Sequence, residues 1–154
     1  MVTNQTCFVI QPFDDAFTKR FDQVYSIAIE DAGLRPYRVD RDPAVAVPAE
    51  SIESGIRNAT ACLADITKDN PNVWLEVGYA MALSKPLIFI ASKRRRKLPF
   101  DIQHKLVINY STDAPKDFDL IRIEIAKRIK SRLTVQPESQ PTQSPQSNYE
   151  PSPF

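Results

Sequence analysis

One carboxylate stands alone in an apolar stretch. In Asn70-Pro71-Asn72-Val73-Trp74-Leu75-Glu76-Val77-Gly78-Tyr79-Ala80, Glu76 is the only residue between Val73 and Leu83 that is charged at neutral pH. An ionised group in an apolar helix is costly unless a partner, water or a ligand compensates it, so Glu76 is the leading candidate for chemistry. Asn72 precedes it by four positions and shares its helix face. A purely local account exists, because acidic residues near helix N-termini gain about 0.3 to 1 kcal/mol from the macrodipole. That account suits a glutamate in the first turn better than one several positions inside.

Other chemistries lack their parts. With three glycines, Gly33, Gly55 and Gly78, there is neither a Walker loop nor a G-x-G-x-x-G turn. His104 is the only histidine, which leaves little for a histidine metal centre or a Ser-His-Asp triad. Cys7 and Cys62 fall in apolar runs without metal-site spacing and read as reduced core thiols. No metal and no cofactor are expected. What remains is a set of carboxylates and amides: Asp14, Asp15, Asp40, Asp42, Asp65, Asp69, Asn70, Asn72 and Glu76.

These residues sit in an alternation of strand and helix patterns. Cys7 to Ile10 is a short apolar run that leaves through Gln11-Pro12-Phe13. Apolar residues recur at helical spacing from Ala16 to Ala32, and Gly33 stands at the C-cap position. Leu34 to Val39 reads as a second strand, Ala49 to Asn58 as a helix and Ala61 to Ala64 as a third strand. Asn70 followed by Pro71 forms an N-cap with proline at the first helical position, opening a helix to about Ser84. Pro86 to Ala91 and Leu106 to Tyr110 complete five strands, and Phe118 to Leu133 is a final amphipathic helix.

Such alternation implies a mostly parallel sheet with helices on both faces, since parallel strands need right-handed crossovers. The expected fold is α/β, a flavodoxin-like three-layer sandwich with a five-stranded sheet of order 2-1-3-4-5. Ligands in such sheets bind beyond the carboxyl ends of the strands, where the winding reverses. Gln11 to Asp15, Arg38 to Asp42 and Asp65 to Asn72 land there.

Composition bounds the rest. The chain has 154 residues, of which 42% are hydrophobic, which suits a single domain over residues 1–134. Residues 135–154, rich in Pro, Gln and Ser without apolar periodicity, read as a disordered tail. A net charge of +1 gives no global reason to expect nucleic acid. The unbroken basic run Lys93 to Lys97 reads first as a solvated loop and second as a phosphate clamp or a nucleic-acid patch. No signal-peptide pattern and no membrane-length apolar run are present, so a soluble, cytoplasmic protein is expected. A response-regulator receiver fits poorly, because Gln11-Pro12-Phe13 separates the acidic pair Asp14-Asp15 from its strand and Tyr110-Ser111 stands where a lysine is needed.

Several segments together carry a family resemblance: Cys7 to Phe13, Arg38-Val39-Asp40, Ala64-Asp65-Ile66-Thr67, Asn70 to Ala80, and Pro99-Phe100-Asp101. Over about residues 6 to 111 the chain resembles the nucleoside 2-deoxyribosyltransferase-like group, related in layout to bacterial TIR-like domains. The resemblance implies that Glu76 attacks the anomeric carbon and forms a glycosyl ester that water or a second base resolves. It implies that Asp65 or Asp40 protonates the departing base or holds sugar hydroxyls. Asn70 and Asn72 then orient ribose or base, Phe13 packs on the base plane, and Gln11, Pro12 and Arg38 complete the substrate site. Asn70 and Phe13 stand where those transferases carry an aspartate and a tyrosine. The implied activity is cleavage or transfer at the N-glycosidic bond of a nucleoside, nucleotide or NAD, in a homodimer; the alternative is a silent nucleotide-sensing TIR-like module in bacterial defence or signalling.

Overall fold

A computed structural model describes residues 4–41 and 48–135. The expected tail beyond Val135, and Asp42, lie outside the described residues. The strands are β1 (Thr6–Ile10), β2 (Arg35–Tyr37), β3 (Ala61–Asp65), β4 (Leu87–Ser92) and β5 (Val107–Tyr110). They form one sheet of order β2-β1-β3-β4-β5, and every pairing is parallel. This is the doubly wound flavodoxin-like α/β arrangement.

Helices α1 (Asp15–Arg20), α2 (Ser26–Asp31) and α5 (Pro115–Thr134) cover one face, and α3 (Pro48–Asn58) and α4 (Pro71–Ala82) cover the other. Side chains of β1 and β3 alternate between the two layers: Cys7, Val9, Ala61 and Leu63 enter one core, and Phe8, Ile10, Cys62 and Ala64 the other. Because both faces are covered, β3 is buried at all five positions and carries no polar alternation. Both cysteines are free and buried, and burial pushes the Cys62 thiol up to about 12.

Two elements differ from the apolar spacing. The helix expected from Ala16 to Ala32 contains a π turn, Phe21–Tyr25, between α1 and α2. The widened turn brings Phe21, Val24 and Tyr25 inward together, ahead of Ala28 and Ile29. Helix α5 starts at Pro115, three residues before the periodic pattern, because Asp117 Oδ2 accepts from the backbone N–H of Ala114 at 2.9 Å and Asp113 at 3.1 Å.

Chain ends of the helices follow their residue types. Gly33, at φ 85°, closes α2, with Leu34 N–H donating back to Ile29 at 3.1 Å. A side chain on Gly55 would meet the Phe8 ring at 2.6 Å, so glycine there lets α3 lie close on β1. Asn70 caps α4: its Oδ1 accepts from Asn72 N–H at 2.9 Å and Val73 N–H at 3.2 Å. Asn70→Ala is expected to cost about 1 kcal/mol, read from the midpoint of urea unfolding, with Asn70→Asp near wild type.

The fourth crossover, residues 93–106, holds no helix. Its basic run is tied down in part: Arg95 donates to Asp69 at 2.6 Å and to the Thr67 carbonyl at 3.1 Å, and Arg94 pairs with Asp113. Arg95 thereby braces the loop that leads into α4. Among the described residues, no helix is long and apolar enough to cross a membrane.

Candidate active site

Glu76 lies in the second turn of α4 and is 7% exposed. It borders a pocket of about 420 Å³ lined by residues of α3 and α4 and by Phe13, which follows β1. Among the described residues its carboxyl group has no hydrogen bond or ion pair. Burial alone pushes its pKa from 4.5 up to about 7. A carboxyl group this poised changes charge near neutrality, where acid–base and nucleophilic work is done.

That shift has a consequence for stability. Between pH 4.5 and about 7 the folded protein keeps a proton on Glu76 that the unfolded chain has released. Stability from this residue therefore falls as pH rises through that window, by about 3 kcal/mol in all, and stays low above it. The measurement is the difference in unfolding free energy between wild type and Glu76→Gln across pH 4 to 8. The difference should grow with pH and flatten above about 7.

Of the residues expected at the site, Phe13 and Asn72 line the same pocket as Glu76. Phe13 is half exposed and its ring lies 5.6 Å from the Arg38 guanidinium. Arg38, Asp40 and Gln11 form a neighbouring cluster rather than a wall of this pocket. Arg38 is 3% exposed and grips Asp40 with two contacts, Nε to Oδ1 at 2.6 Å and Nη2 to Oδ2 at 2.7 Å. Nη2 also donates to Thr18 Oγ1 at 3.1 Å. Gln11 is buried and donates from Nε2 to the Phe17 carbonyl at 3.2 Å. Gln11 Oε1 and Arg38 Nη1 are buried without a hydrogen bond among the described residues. Pro12 is buried between them in sequence, and Asn70 spends its Oδ1 on the helix cap.

Asp65 is placed elsewhere. It ends β3 on the parity of Leu63, so its side chain enters the layer beneath α1, α2 and α5, across the sheet from α4. There it is fully buried, and Oδ2 accepts from Tyr25 Oη at 2.5 Å and Tyr110 Oη at 2.6 Å. Oδ1 accepts from Thr67 N–H at 2.9 Å and Thr67 Oγ1 at 2.6 Å. Arg20 donates to the Tyr110 hydroxyl at 2.8 Å and closes the network. Thr67 Oγ1 in turn accepts from Ser92 N–H at 2.9 Å, which joins β3 to β4 beside the loop into α4.

Among the further residues that line the pocket, three bear on its chemistry. Glu53 on α3 brings a second carboxylate, Ile52 an apolar wall, and Tyr79 an aromatic edge whose hydroxyl accepts from Arg57 Nη2 at 2.6 Å. Tyr79 was not among the expected residues, although it follows Glu76 by three positions and helical spacing is the signal that could have found it. Glu53 needed the packing of α3 on α4 to come into view. The described lining residues include two carboxylates and no cation. Among the described residues, no group of three His, Cys, Asp or Glu side chains is arranged to ligate a metal.

Comparison with known proteins bears on the fold. No family model and no curated protein matches the sequence. Among solved structures, the CMP N-glycosidase BcmB of Clostridium botulinum superposes with a TM-score of 0.57 at 15% identity, covering 79% of this chain and 98% of that one. The TIR domain of the Toll-related receptor TRR-2 of Hydra magnipapillata superposes with a TM-score of 0.56 at 16% identity, covering 79% and 97%. The chain therefore shares its fold with a TIR domain and with an N-glycosidase, and at these identities the likeness extends to fold alone. Neither sequence comparison connects it to the deoxyribosyltransferases.

Proposed function

We propose that this chain is an N-glycosidase-type enzyme that uses Glu76 as nucleophile on a nucleoside, nucleotide or NAD. The observation that carries the reading is a buried carboxyl group, without a hydrogen-bond or ion-pair partner among the described residues, at the wall of an open, partly aromatic pocket. Groups of this kind are costly to keep and are characteristic of sites where a ligand supplies what the fold withholds.

In this reading a Glu76 oxygen attacks the anomeric carbon as the bond from that carbon to the base nitrogen breaks, and the electron pair leaves with the base. Water then hydrolyses the glycosyl ester, giving the free sugar hydroxyl and regenerating the carboxylate. Glu53 is the group in the pocket able to take the proton of that water. Phe13 and Tyr79 offer flat surfaces to a base, and Asn72 offers an amide to a sugar hydroxyl. Asp65 and Asp40 lie outside this pocket and act here on the fold, Asp65 through its network with Tyr25, Tyr110 and Thr67 and Asp40 through Arg38.

The charge of the pocket bears on the leaving group. A neutral base departs well only when an acid protonates it, and Asp65 lies across the sheet. A pyridinium base already carries positive charge, leaves as a neutral molecule and is attracted by two carboxylates. Within the proposed range, NAD and other pyridinium N-glycosides suit this wall best.

The test is chromatographic. Purified protein is incubated with a panel of nucleosides, nucleotides and NAD, and released base is measured. Release of nicotinamide from NAD ahead of the uncharged glycosides supports the reading in full. Thermal stabilisation by a ligand that emerges intact from every incubation would replace it with the silent nucleotide-sensing module.

A further inference from the structure

At the opposite edge of the sheet lies a second hollow, of about 520 Å³, beneath the amino ends of β4 and β5 and between the last turns of α4 and α5. Its charge is the reverse of that around Glu76. Lys85, Lys105, Arg128 and Arg132 line it together with His104, and the described lining residues include no carboxylate. Cations near the C-terminal ends of helices gain about 0.3 to 1 kcal/mol from the macrodipole, which accounts for some of this. Lys105 belongs to neither helix, and macrodipole compensation leaves it unexplained.

The cations differ in how they are held. Lys85 Nζ is fixed by the carbonyls of Arg57 at 2.6 Å and Ala59 at 2.9 Å, and Arg128 meets Glu124 at 3.4 Å. The side chains of Lys105 and Arg132 have no hydrogen bond or ion pair among the described residues. Like charges around one hollow repel each other, and an anion between them reverses the sign of that interaction.

The floor is apolar. Leu87 and Phe89 form part of it, Met81 stands at the rim, and Leu106 is 80% exposed beside it. Ser84 also borders the hollow, in the left-handed conformation at φ 54°, where a helix usually ends in glycine. Serine brings a hydroxyl that glycine lacks.

We propose that this hollow binds an organic phosphate of the nucleoside diphosphate class, at a site separate from the Glu76 pocket. Its volume is in the range of small-molecule sites. Two arginines of α5 and a lysine from the segment before β5 suit a group with several anionic oxygens, because guanidinium forks match phosphate geometry. The apolar floor suits a flat base, which inorganic anions lack. This site stands whether or not Glu76 performs glycosidic chemistry.

The experiment is calorimetric titration of the full chain with ADP, adenosine and inorganic pyrophosphate. ADP is expected to bind, and to bind about tenfold more weakly when salt is raised from about 50 to about 250 mM. The double variant Lys105→Glu/Arg132→Glu should weaken ADP by about tenfold or more, while Lys116→Glu, a charge reversal of an exposed residue in the first turn of α5 and outside both pockets, leaves it unchanged. Both substituted side chains are exposed and have no partner among the described residues, so the variant should keep the wild-type unfolding midpoint. The proposal is overturned by failure of ADP to bind, by wild-type ADP affinity in the double variant, or by pyrophosphate binding as tightly as ADP.

Discussion

Glu76→Gln is expected to abolish release of base while making the folded protein more stable above pH 7. Gln keeps the shape of the side chain but cannot form a glycosyl ester that water then resolves, so turnover should fall by on the order of a thousandfold or more. The stability gain has a separate origin. At pH 8 the native glutamate must be ionised in a site that pushes its pKa to about 7, whereas glutamine carries no charge to desolvate. Glutamine still leaves an amide without a partner, so the net gain is set at about 1 to 2 kcal/mol. A residue whose removal costs activity and adds stability is retained for function rather than for folding. Unchanged turnover in this variant, or a loss of stability at pH 8, would falsify the assignment of Glu76 as the reacting group.

Asp65→Asn should behave in the reverse manner. The native carboxyl accepts four hydrogen bonds, two from tyrosine hydroxyls and two from Thr67. An asparagine amide can satisfy Thr67 only by turning its NH2 toward Tyr25 and Tyr110, whose hydroxyls must then swing round to accept. Arg20 and the Thr67 hydroxyl crowd the same tyrosine, so the rearranged network is incomplete. The cost is expected to be about 2 to 4 kcal/mol in unfolding free energy, with Asp65→Ala at the upper end or beyond. At a temperature where Asp65→Asn is folded, its KM and kcat for base release should stay within a few-fold of wild type. A variant of wild-type stability that has lost release of uncharged bases alone would instead make Asp65 the acid that protonates the leaving group.

The contrast between these carboxylates shows why part of the site could be read from sequence and part could not. Glu76 is conspicuous because its neighbours are apolar, and the helix around it is defined locally by the Asn70 cap and Pro71. Helical spacing then brings Asn72 and Tyr79 with it. Asp65 sits at the carboxyl end of a central strand, where ligands commonly bind, and that position is also local information. The direction of its side chain is not. Strand parity says only that Asp65 opposes Ala64; the assignment of α3 and α4 to the Ala64 side comes from how each crossover folds back.

Glu53 and the basic hollow depend still more on tertiary contacts. Glu53 reads as an ordinary surface acid on an amphipathic helix until α3 packs on α4 and leaves the gap between them. Lys85, Lys105 and Arg132 are scattered over almost fifty positions and share no motif, and only the meeting of α4, α5 and the segment before β5 assembles them. The run Lys93 to Lys97, which stands out in the sequence, has Arg94 and Arg95 engaged with Asp113 and Asp69.

By itself, then, the sequence determined the order of strands and helices, the winding of the sheet and the isolation of Glu76, because apolar periodicity, caps and crossover handedness are properties of short segments. Tertiary structure alone decided which carboxylates share a cavity, which are locked among tyrosines, and where positive charge gathers. Those outcomes follow from the facing of whole layers, and neighbouring residues along the chain carry no record of it.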